Sequence, residues 1–73
     1  MDTIQTLPSE ILTKREIEIL KLIGGGYSNT QIGKLLEISH RTVDTHRTNI
    51  RNKLGVNSLA GMIKYALKTG LIQ

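Results

Sequence analysis

The sequence predicts an all-α fold of four helices, and three observations predict it. Apolar residues recur three and four positions apart in four separate runs, a polar capping residue opens each run, and glycine closes three of them. No stretch alternates apolar with polar residues as a half-buried strand does, and there is no internal repeat or low-complexity tract.

Residues 1–11 show no period and contain Pro8, so they are expected to be a tail or the remnant of a linker ahead of a domain over 12–73. The first helix starts after Thr13. In Thr13-Lys14-Arg15-Glu16 the Thr hydroxyl can accept from the Glu16 amide while Glu16 reaches back to the Thr13 amide. Ile17, Leu20 and Ile23 share its inner face, widened by Ile19, and Gly24-Gly25-Gly26 stops it. The triplet is no phosphate loop, because no Lys-Ser/Thr follows and no strand precedes it. Ser28-Asn29-Thr30-Gln31 is a second capping box, and Ile32, Leu35 and Leu36 should form the buried face of the second helix. Gly33 weakens that helix by roughly 1 kcal/mol against Ala, which suggests that another helix comes close there.

Glu37-Ile38-Ser39 makes the turn, with Ile38 plugging into the core and Ser39 capping the third helix. That helix runs from about His40 to Leu54 and ends at Gly55. It hides Val43, Ile50 and Leu54 and shows Arg41, Asp44, Thr45, Thr48 and Asn52. Ser58 caps the fourth, where Leu59, Met62, Ile63, Ala66 and Leu67 give the cleanest amphipathic pattern in the chain. Gly70 ends it, and Leu71-Ile72 can fold back onto the core.

Seventy-three residues make one small domain with a modest core. Without cysteine there is neither a disulfide nor a thiolate metal site, and His40 and His46 lack the spacing and further ligands of a zinc helix, so no metal and no cofactor are expected. No apolar run can cross a bilayer and no signal segment opens the chain, so the expected compartment is the cytosol. Phenylalanine and tryptophan are absent, which disfavours single-strand binding by base stacking.

The net charge is +4, and part of it is local: His40 to Leu54 holds Arg41, Arg47, Arg51 and Lys53 against Asp44 alone. Charge by itself suits a solvated face. Joined to a supporting helix, a tight turn and a helix packed along one stripe, it suits a helix-turn-helix that reads a DNA major groove.

Three blocks, Leu12-Thr13-x-Arg15-Glu16-x-Glu18-Ile19-Leu20, Gly26-Tyr27-Ser28-Asn29-x-x-Ile32 and Thr42-Val43-x-x-His46-x-x-Asn49-Ile50-x-x-Lys53-Leu54, resemble the LuxR/GerE-type helix-turn-helix domain, the DNA-binding half of NarL/FixJ-class response regulators. The resemblance covers about Leu12 to Ile72, with the blocks in the right order and spacing. It implies a four-helix domain whose third helix enters the major groove of double-stranded DNA and whose fourth often dimerises. It also implies that Asp44, Thr45 and Thr48 read bases. Asp44 departs from the family's pattern, which is frequently basic there, and this bears on the target sequence.

The residues then take these expected roles. Asp44 accepts from a cytosine amino group or orients a neighbouring Arg; as a plain acid near the helix start it would do neither. Thr45 and Thr48 can hydrogen-bond a base edge or touch a thymine methyl. Arg41 and Arg51 flank them for an outer guanine or phosphates. Thr42, Arg47 and Lys53 are candidate phosphate contacts, Lys53 being equally a solvated charge favoured by the helix dipole. His46 should be a packed, hydrogen-bonded histidine that can also reach a phosphate. Ser28, Asn29 and Thr30 open the second helix, where free amides can hold a phosphate. Gly61, Ile63, Lys64 and Leu67 are candidates for a homodimer seam.

No catalytic constellation is present, and neither an enzyme nor a small-molecule substrate is expected. Two rivals stand within binding modules: a sigma-factor-like unit whose partner is RNA polymerase, and a protein-interaction bundle, which would need no basic third helix. As part of a response regulator the chain would follow a phosphorylated receiver domain; complete in itself, it would act unswitched, like the short GerE-type regulators.

Overall fold

The computed structural model describes Leu7 to Gln73, and the described residues form five helices and no strand. They are α1 (Pro8–Ile11), α2 (Lys14–Gly24), α3 (Asn29–Leu36), α4 (His40–Leu54) and α5 (Leu59–Lys68). The four expected helices are α2 to α5.

The addition is α1, in a stretch expected to be tail. Pro8 stands in the first turn, where its fixed φ and missing amide cost nothing, and the Glu10 carboxylate accepts from the Leu7 amide at 2.9 Å. Leu12 then turns extended and enters the core. The part of that tail before Leu7 lies outside the described residues.

All four expected caps form. The Thr13 hydroxyl accepts from the Glu16 amide at 3.1 Å and Glu16 from the Thr13 amide at 2.8 Å. Ser28 and Gln31 repeat the exchange at 3.2 and 2.8 Å. Ser39 accepts from the Thr42 amide and Ser58 from the Gly61 amide. Gly55, at φ 70°, closes α4 in the left-handed conformation that glycine takes without strain.

The core is Leu12, Ile19, Leu20, Ile23, Ile32, Val43, Ile50, Met62 and Ala66. Helix α2 is its hub and packs on α3, α4 and α5, while α3 and α4 lie against each other as the two arms of the helix-turn-helix. Ile72 folds back as expected, its side chain filling the space a Cβ at Gly24 would need and its amide donating to Ala66 O at 3.2 Å.

Two expectations about packing are corrected. Leu35 is 55% exposed rather than part of the buried face. At about 100° per residue, Ile32, Leu36 and Gly33 span one arc, and the turn covers the Gly33 side of it, leaving Leu35 beyond the opposite edge. The close neighbour of Gly33 is accordingly backbone rather than a helix: a Cβ there would stand 2.6 Å from the Ile38 carbonyl oxygen. On α5 the stripe divides as well, with Met62 and Ala66 buried and Leu59 and Leu67 about half exposed.

Candidate nucleic-acid interface

Helix α4 presents the candidate surface. Val43 and Ile50 are fully buried and Leu54 partly so, which fixes the helix rotationally and turns the opposite side out. Arg41, Asp44, Thr45, Thr48 and Asn52 are all exposed there, as helical spacing requires. Ser39 supports the start of the row: its hydroxyl accepts from the Thr42 amide at 3.0 Å and shares a 2.9 Å hydrogen bond with the Thr42 hydroxyl.

Within the row, Thr45 Oγ1 donates to the Arg41 carbonyl at 3.2 Å, and Arg51 Nη2 donates to Thr48 Oγ1 at 3.2 Å. Asp44 has no ion-pair partner among the described residues, so its carboxylate is not spent on a neighbouring arginine. Asn52, a further candidate on the same side, stands one turn beyond Thr48 and two beyond Thr45. Its i, i+3, i+7 spacing with Thr45 and Thr48 is the signal that finds it, and an amide side chain suits the adenine edge.

The flanks of α4 are tied to its neighbours. On one side Arg47, half-buried, donates from Nη1 to Asn29 Oδ1 at 2.8 Å, so two candidate phosphate contacts from α4 and α3 form one unit at the start of α3. Ser28 is committed to its cap, and Thr30 beside it is exposed. On the other side Lys53 differs from its expected place. Its ammonium lies 2.8 Å from Oε1 of Glu16, a carboxylate almost wholly withdrawn from water, so Lys53 is held by the protein itself. Burial alone would raise the Glu16 pKa. The Lys53 ammonium and the Thr13 amide outweigh it and hold the carboxyl below the ordinary glutamate value.

His46 packs on the flank as expected but not as a hydrogen-bonded residue: among the described residues, its buried Nδ1 has no partner. Of the expected seam on α5, Ile63 is half-buried, Lys64 and Leu67 are exposed, and Gly61 is turned inward, where a Cβ would stand 2.9 Å from Val56 Cβ. The outward apolar ridge is therefore Leu59, Ile63 and Leu67. Among the described residues no helix is long and apolar enough to cross a membrane.

The sequence pattern described as "Bacterial regulatory proteins, luxR family" matches residues 10–66. The chain is 47% identical over 73 residues to the oxygen regulatory protein NreC of Staphylococcus aureus, a match that spans 99% of this chain and 34% of that protein. Among solved structures it is similar to the response regulator ChrA of a heme-sensing two-component system, with a TM-score of 0.76 and 39% identity over 97% of this chain and 33% of ChrA. It is also similar to VqmA from Vibrio cholera, solved with ligand and DNA, with a TM-score of 0.80 and 34% identity over 97% of this chain and 30% of VqmA. The chain thus spans about one third of the length of the curated relatives it matches.

Proposed function

The chain belongs to the luxR family of bacterial regulatory proteins, and from that premise we propose that it is the effector domain of a two-component response regulator whose α4 reads the major groove. DNA binding for transcription regulation is the function the family carries. The observation that supports this mode of docking is the side of α4 bearing Arg41, Asp44, Thr45 and Thr48, which stays exposed while the rest of the helix is locked onto α2 and α3.

In this reading Asp44, Thr45 and Thr48, with Arg41 at the outer edge, meet base edges. Thr42, Arg51 and the Arg47–Asn29 unit, with Thr30, meet phosphates. Ser28 and His46 support that flank, and Lys53 acts through Glu16 rather than through DNA. Two copies pair through the Leu59, Ile63 and Leu67 ridge with Lys64 at its rim, so that two recognition helices reach half-sites about one helical turn apart. A receiver domain ahead of this chain would control whether α5 is free to pair. The cytoplasm is the compartment such a regulator works in.

The test is titration with duplex DNA over a range of salt, read by fluorescence anisotropy and by amide NMR. The expected result is affinity that falls with a slope of roughly −0.9 in log salt for each phosphate neutralised, with the largest shifts along Arg41 to Asn52. Unmoved α4 amides with every duplex would overturn it.

A further inference from the structure

The Asp44–Thr45 pair on the exposed side of α4 has no free hydrogen-bond donor. Thr45 commits its only hydroxyl proton to the Arg41 carbonyl, one turn back, at 3.2 Å. Asp44 beside it, as a carboxylate, only accepts, and no cation among the described residues is paired with it. The strong donors stand at the ends of the row, Arg41 before and Arg51 after, the latter resting on Thr48 Oγ1. Guanine shows only the acceptors O6 and N7 to the major groove, so Asp44 and Thr45 have no donor to offer a guanine, whereas Thr48, whose hydroxyl accepts from Arg51, keeps its own proton for a base further along. What Thr45 keeps for a base is its γ-methyl and its oxygen lone pairs. Its bond to the Arg41 carbonyl also selects one of the two rotamers open to a helical threonine, so that methyl is held in place before any ligand arrives.

We propose, resting on the groove-reading role of α4, that Thr45 is a specificity-determining residue that selects a thymine through contact of its γ-methyl with the C5-methyl of the base. Asp44 accepts from an amino group at the same or the neighbouring step. An A·T pair carries both features in the major groove, adenine N6–H₂ and the thymine methyl, so acceptor and methyl are met together, and a guanine there is rejected.

The test begins with selection of bound duplexes from a random pool. Each thymine of the selected site is then replaced, singly, by uracil, which deletes the C5-methyl and leaves every hydrogen-bonding group in place. One thymine per half-site should prove sensitive, with binding about fourfold weaker on uracil, the effect of about 0.8 kcal/mol for one buried carbon. Thr45→Val keeps a γ-methyl and lacks the hydroxyl, and should retain both affinity and uracil sensitivity. Thr45→Ser keeps the hydroxyl and lacks the methyl, and should bind thymine and uracil alike. The uracil series on the unaltered protein stands without either variant. Specific binding with no uracil-sensitive position overturns the methyl contact alone. A Thr45→Val variant that loses affinity while Thr45→Ser matches the parent overturns it in favour of the hydroxyl. Absence of binding to any duplex overturns the groove-reading role, and this proposal with it.

Discussion

One carboxylate oxygen, Oε1 of Glu16, accepts from both the Thr13 amide and the Lys53 ammonium. It closes the start of α2 and anchors the end of α4, residues 37 apart in sequence. Because its folded-state pKa lies below the ordinary glutamate value, the stabilisation it confers is complete above that value and is lost as pH falls through the depressed one. Denaturation midpoints should therefore drop on acidification below about pH 4.3, and Glu16→Gln should be less stable at neutral pH but flatter across that range. Lys53→Met should cost about 1–3 kcal/mol in chemical denaturation, the scale of a hydrogen bond to a charged group. It should leave the slope of DNA affinity against salt unchanged, whereas Arg51→Ala should reduce that slope by about one phosphate.

Helices α3 and α4 owe their geometry to three turn residues. Glu37 sits at φ 59°, ψ 43°, in the left-handed region, Ile38 packs against the core, and Ser39 caps α4. Gly33 lets the Ile38 carbonyl lie against α3. Gly33→Ala should gain roughly 1 kcal/mol of helix propensity and lose more, because a Cβ 2.6 Å from a backbone oxygen forces the turn outward. A net loss of about 1–3 kcal/mol is expected on the scale of overpacking, with weaker DNA binding, since the turn sets how α4 stands off α3. Glu37→Gly relieves a strained conformation and should raise stability by up to about 1 kcal/mol, measured as a shift in the thermal midpoint.

The domain leaves Leu59 and Leu67 half exposed on either side of Ile63, one turn apart along α5. A core this small cannot cover a stripe that wide. Leu67→Glu should keep the fold, since the residue lies outside the core, and should hold the protein monomeric in sedimentation. Binding to a duplex with two half-sites should weaken by about tenfold (~1.4 kcal/mol), while binding to a single half-site stays as it was.

Helix positions and caps were legible in the residues because both depend on neighbours three and four apart: Thr13 with Glu16, Ser28 with Gln31, Ser39 with Thr42. The outward row of α4 was legible for the same reason, given a straight helix with one buried stripe. Contacts between residues distant in sequence were not. Lys53 read as a free cation until Glu16 met it, Arg47 and Asn29 read as separate contacts until they bonded, and Leu35 read as core until the turn took the Gly33 side of α3. The chain thus determined its four principal helices, and which side of α4 faces outward, by local periodicity and capping. Which charges remain free for a partner was decided only when α2, α3 and α4 packed together, because a charge finds its counter-ion across space rather than along the chain.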